Sequence, residues 1–108
     1  MPVQGIPWQG IVHVAIQSFK SRVVEDFFLE QTLTRPVGWA LIQRVVIRKL
    51  DILHYARSLR DLNAPGNRLK ALKGRMRGFH AIRINDQWRI TFRWTANGPA
   101  DVDIVDYH

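Results

Sequence analysis

The apolar residues of this 108-residue chain change their period once, and that change dictates the fold class. Before the turn cluster Asn63-Ala64-Pro65-Gly66-Asn67 the dominant spacing is helical; after it, apolar and polar residues alternate as they do in strands. Val12 to Ser18 alternates weakly and reads as a first strand. Ser18 or Ser21 then caps a helix to about Leu33, with the pairs Val23/Val24 and Phe27/Phe28 one turn apart. Thr34-Arg35-Pro36 is a break and a restart, since proline is tolerated in a first helical turn. The second helix is predicted to run to about Ser58. It sets Trp39, Ile42, Val46, Leu50 and Leu53 on one stripe and Arg44, Arg48 and Lys49 on its polar face. Strands are predicted at about 69–73, 78–84, 88–95 and 101–107. The outcome is an α+β domain over 14–108, two N-terminal helices packed on one face of a largely antiparallel sheet of four to five strands. Residues 1–13, with Pro2, Gly5, Pro7 and Gly10, carry no usable period and read as a loose extension.

Charge locates the working surface. Between 68 and 93 the chain carries Arg68, Lys70, Lys73, Arg75, Arg77, Arg83, Arg89 and Arg93 against the single acid Asp86, while the remainder balances eight bases against eight acids. The whole net charge of +7 therefore sits in one quarter of the sequence, the footprint of a polyanion partner, although a solvated basic face has the same composition. With no cysteine, a disulfide framework, a thiolate zinc site and a thiol nucleophile are all excluded. No run approaches eighteen apolar residues and the first fourteen lack a signal-peptide pattern, so the expected location is the cytoplasm.

Register follows from keeping arginine out of the core. His80, Ile82 and Ile84 share one face of their strand, and Trp88, Ile90, Phe92 and Trp94 share one face of the next. A two-residue turn would put Arg89 opposite Ile84, inside. A three-residue loop at 85–87 instead pairs Ile84 with Trp88 and Ile82 with Ile90, and sets Arg83 beside Arg89 on the open face, with Thr91 and Arg93 further along. Facing like charges repel, unless a bound anion reverses the sign. Carried across a 96–100 loop, the same reasoning pairs Phe92 with Ile104 and Arg93 with Asp103, and brings Tyr107 beside Arg89. His54 and His80 read as core or boundary residues.

Such a patch suits RNA. Arginine forks hold phosphate and stabilise charge building on a phosphodiester, and Asp106, Tyr107 and His108 supply acid–base groups beside them. RNA carries its own nucleophile, so no metal or other cofactor is required, and His13, His54, His80 and His108 show no ligand spacing.

Three ordered motifs resemble the HigB toxins, the plasmid-maintenance-killer branch of the RelE/ParE superfamily. They are Gly66-Asn67-Arg68-Leu69-Lys70-Ala71-Leu72-Lys73-Gly74, His80-Ala81-Ile82-Arg83-Ile84-Asn85-Asp86-Gln87-Trp88-Arg89-Ile90, and the terminal Val105-Asp106-Tyr107-His108. The resemblance implies a RelE-like fold, a type II toxin, ribosome-dependent cleavage of mRNA and a HigA-type helix-turn-helix antitoxin as partner. It implies a phosphate-ligand role for Arg89, a backbone or catalytic role for Lys73, and acid–base roles for Asp106, Tyr107 and His108. Lys70 stands where some members have a histidine, so the expectation is slower cleavage or a base role that rests more heavily on His108. Arg75 and Arg77 replace acidic or mixed residues, which strengthens the grip on RNA. A ParE-like gyrase inhibitor and a non-catalytic RNA- or ribosome-binding module are the competing readings of the same fold.

Overall fold

A computed structural model describes residues 15–107. The first helix, α1, spans Arg22–Glu30. It starts where Ser21 accepts the Val24 N–H, and stops at Gln31, which turns left-handed and donates its N–H to the Phe27 carbonyl at 2.7 Å. Of the two serines considered for its cap, Ser21 is the one used. The second helix is shorter than its apolar stripe. Residues after Pro36 form turns and a 3₁₀ segment, Ala40–Ile42, before α2 proper, Gln43–Tyr55. Four strands follow as a meander: β1 Lys70–Ala71, β2 Phe79–Arg83, β3 Trp88–Thr95 and β4 Gly98–Asp106, each antiparallel to its neighbour. Among the described residues no helix is long and apolar enough to cross a membrane.

The predicted strand at 12–18 is not formed over its described part. A single parallel bridge, Phe19 to Val102, ties the segment to β4, with Gln17 donating to the Pro99 carbonyl and Lys20 to that of Val102. That tether delivers Lys20 to the open face of the sheet.

The helices bury one stripe against one sheet face. Trp39, Val46, Leu50 and Leu53 meet Ile82, Ile90, Phe92, Val102 and Ile104, all buried, and Phe27 packs edge-on to Trp39 with centroids 5.0 Å apart. Lys49, expected on the polar face of α2, is buried instead. Its ammonium donates to Asn67 Oδ1 at 2.7 Å and to the Gly66 carbonyl, while Asn67 donates to the Leu62 carbonyl. Burial, with Arg48 and Arg83 nearby, holds Lys49 below the ordinary lysine value. This buried polar bridge fixes the turn that leads into Arg68 and β1.

Gly38 shows how closely the α2 approach packs on the β2–β3 hairpin. A Cβ there would lie 2.5 Å from Cζ2 and 2.8 Å from Cη2 of Trp88. Gly38→Ala is expected to cost about 1–3 kcal/mol by overpacking, read as a lower thermal midpoint. An unchanged midpoint would mean that the Trp88 ring moves aside freely.

Candidate active site

The β2–β3 register is the one that keeps arginine outside. Ile82 faces Ile90, Arg83 faces Arg89, and Ile84 donates its N–H to the Trp88 carbonyl at 2.9 Å. Asn85 shapes the intervening loop, its Oδ1 accepting the N–H groups of Gln87 and Trp88. The two arginines are not left to repel. Arg83 pairs with Asp86 at 2.6 Å, and Arg89 turns back to donate to the carbonyls of Asn85 and Trp88. The Arg83 hydrogen bond and charge hold the Asp86 carboxyl below its usual range.

The β3–β4 register differs from the expected one by two residues. Thr91, not Arg93, faces Asp103; Ile104 faces Ile90 rather than Phe92; and Arg93 reaches Asp101 in a 2.8 Å ion pair. The cause is local. β4 begins at Gly98 after a two-residue turn, and the ladder shifts again between Thr91 and Arg93, where Asp101 adopts a positive φ of 53°. A two-residue shift leaves every side chain on its expected face. Tyr107 therefore still lies beside Arg89, whose guanidinium sits 4.5 Å from the ring centroid. Tyr107 also donates its N–H to the Gln87 carbonyl at 2.6 Å, so this end of the chain is pinned.

Lys70 completes the arrangement. β1 pairs Lys70 with Ala81, which places its side chain on the open face, and its ammonium donates to the Tyr107 phenol oxygen at 2.8 Å. That hydrogen bond and the same positive charge, joined by Arg89, hold the Tyr107 phenol below its ordinary value. An ultraviolet titration is expected to show one phenol ionising early, and Lys70→Met is expected to move it upward while Tyr107→Phe removes it. If the Lys70→Met curve superimposes on that of the wild type, the assignment of cause fails.

Two cavities flank this pair. One, of about 550 Å³, is lined by Lys20, Lys70 and Lys73, by the apolar Leu72, Met76 and Val105, and by Thr91 and Asp103. The other, of about 200 Å³, is lined by Arg68, Lys70, Ala81, Arg89 and Tyr107. Lys70 and Tyr107 line both and so stand between them. Thr91, placed by the alternation on an open surface, is only 3% exposed.

Of the residues singled out from the sequence, Arg68, Lys70, Lys73, Arg89 and Tyr107 are brought together here. Arg75 and Arg77 are exposed on the turn beyond Lys73. Asp106 lies opposite Trp88 and accepts from Gln87 Nε2 at 3.0 Å, one position out of phase with Val105 and Tyr107. His108 and residues 1–14 lie outside the described residues. His54 and His80 behave as boundary residues: His54 Nδ1 accepts the Ile16 N–H at 3.2 Å, and the His80 ring stacks on Phe92. The sequence reading missed Lys20, Met76 and Asp103. The first carries no local signal, because its place depends on the Lys20–Val102 hydrogen bond across 82 residues of chain.

The sheet with two helices on one face and a cation-lined cleft on the other is the scaffold of a RelE-like toxin. Residues 17–108 match the family described as RelE-like toxin of type II toxin-antitoxin system HigB. Toxin HigB-1 of Vibrio cholerae is 36% identical over 91 residues, covering 83% of this chain and 94% of that protein. Endoribonuclease HigB of Proteus vulgaris is 30% identical over 93 residues, covering 86% and 99%. The chain belongs to the HigB family, and as the toxin of a type II system it has an antitoxin as its partner.

Proposed function

We propose that this toxin is an endoribonuclease that cuts mRNA on the ribosome, in the cytoplasm, and is held inactive by a HigA-type helix-turn-helix antitoxin. The observation that carries the reading is the Lys70–Tyr107–Arg89 cluster, a phenol with a donated 2.8 Å hydrogen bond from an ammonium and a guanidinium over its ring. The name of the Proteus vulgaris relative supports the reaction type.

In this reading, Arg68 and Arg89 hold the scissile phosphate in the smaller cavity. Ionised Tyr107 takes the proton of the RNA 2′-hydroxyl, the 2′-oxygen attacks phosphorus, and the bond to the 5′-oxygen breaks. His108 returns a proton to that leaving oxygen. Lys70 takes over the task of a neutral base by a different route, lowering the pKa of the phenol rather than accepting the proton itself. Lys73 and Lys20 steer the neighbouring backbone, as do Arg75 and Arg77. Asp106, held by Gln87, is the third member of the acid–base group at this end of β4. Arg83 and Arg93, engaged by Asp86 and Asp101, contribute field more than direct contact.

Primer-extension mapping of cellular mRNA after brief expression tests the reading. Internal cuts within coding regions are the expected result. DNA damage without cuts would identify a gyrase poison instead, and neither effect would leave a binding module.

A further inference from the structure

The larger cavity is more than a channel for phosphates, because a carboxylate stands among its cations. Lys70 and Tyr107 lie at one end, while Lys20, whose N–H is bonded to the carbonyl of Val102 next to Asp103, lies towards the other. Asp103 shares the lining with the apolar side chains of Leu72, Met76 and Val105. Asp103 and Tyr107 lie on the same side of β4, four residues apart, which is roughly 13 Å along a strand. Asp103 is therefore out of hydrogen-bond reach of the reacting atoms at Tyr107.

Its environment separates it from the other acid on this stretch of strand. Asp101 is neutralised by Arg93 at 2.8 Å. Asp103 takes part in no ion pair among the described residues; its Oδ1 accepts the N–H of Ile104 at 2.8 Å, which fixes the side chain and leaves Oδ2 for another donor. A carboxylate in a cavity meant only for phosphate would repel its ligand. In a cavity meant for a nucleobase it accepts hydrogen bonds from an exocyclic amino group, as acidic side chains do from the cytosine N4. The apolar side chains supply contact for the ring face, and the volume lies within the roughly 300–1,000 Å³ of small-ligand sites. Single-stranded RNA presents such splayed bases by their Watson–Crick edges.

We propose that Asp103 is a specificity-determining residue: the cavity it shares with Leu72 and Met76 seats one base of the bound RNA and prefers a base bearing an amino group over uracil. This rests on the reading that the cleft takes RNA. Uracil offers a carbonyl where cytosine offers an amino group, so the carboxylate attracts one and repels the other.

Cytidine and uridine differ at that edge and hardly in size, so they make the probe. Short 2′-O-methyl oligomers of each, which cannot be cut, are titrated against the full chain. The wild type is expected to bind the cytidine oligomer roughly five- to tenfold more tightly. Asp103→Asn, whose amide both donates and accepts, is expected to bring the two affinities together. Asp101→Asn removes the same charge from the same strand and tolerates the left-handed backbone there, and is expected to keep the preference. Equal affinities in the wild type, no binding of either oligomer, or an Asp103→Asn protein that discriminates like the wild type each overturns the proposal. A preserved preference with no cuts in cellular mRNA would remove the nuclease reading and leave this subsite standing.

Discussion

Arg89→Ala is expected to yield a folded protein that no longer arrests growth or cuts mRNA. Removing one positioned donor to the charge that develops in a transition state typically lowers the rate by about 10²–10³. Arg89 is the arginine most committed to that position, because its Nη1 donates to the Asn85 and Trp88 carbonyls while the Tyr107 ring flanks its plane. The same contacts limit the structural damage. Both carbonyls belong to half-buried residues at the hairpin end, and the Trp88 carbonyl keeps its bond from the Ile84 N–H, so stability is expected to fall by about 1 kcal/mol. Arg89→Lys keeps the charge but not the planar fork, and is expected to recover only part of the activity. Thermal unfolding and a cleavage assay in ribosome-containing extract separate the two effects. Growth arrest at the wild-type level by a folded Arg89→Ala protein would remove Arg89 from the chemistry.

What the sequence disclosed about this site depends on how each residue is held. The hairpin arginines were legible because a one-residue slip would bury Arg89, a large penalty that leaves one register. The β3–β4 pairing was not, because a bulge adds a residue that alternation alone does not register, and a slip of two carries no penalty in which face is buried. Tyr107 nevertheless arrived beside Arg89, since long side chains reach a diagonal neighbour as well as a direct one. Lys49 was misplaced for a different reason. It borders the apolar stripe of α2, and only the fold supplies the Asn67 oxygen that makes burial of its ammonium tolerable.

The Lys70 substitution shows why a missing family residue need not mean a missing function. Read from the sequence, a lysine in place of a histidine takes away a base. In the structure the ammonium donates to Tyr107 and holds its phenol below the ordinary value, and under the proposed mechanism the proton acceptor moves from one side chain to another. On that proposal the motif position keeps a part in proton transfer while its chemistry changes.

A chain ending at Asp106 is expected to remain folded, to keep its association with the antitoxin and with ribosomes, and to lose most of its cutting activity. An ordinary tail would change little on deletion, because terminal residues are commonly frayed. Tyr107 is not frayed: its N–H is bonded to the Gln87 carbonyl, its oxygen to Lys70, and its ring lies against Arg89. Deletion therefore has a measurable structural cost, about 1 kcal/mol for the backbone hydrogen bond, well short of what unfolds a domain. The catalytic cost is expected to be far larger, since positioned acid–base groups contribute about 10²–10⁴-fold each. Two point variants divide that loss. Tyr107→Phe keeps the ring under Arg89 and removes the ionisable oxygen, so it is expected to fold like the wild type and to lose the pH-dependent part of the rate. His108→Gln keeps a polar group of similar size without a titratable nitrogen, and is expected to be partly active. Cleavage at the wild-type rate by the truncated chain would move the chemistry to Lys70, Lys73 and the arginines, and would leave Tyr107 with no needed part in it.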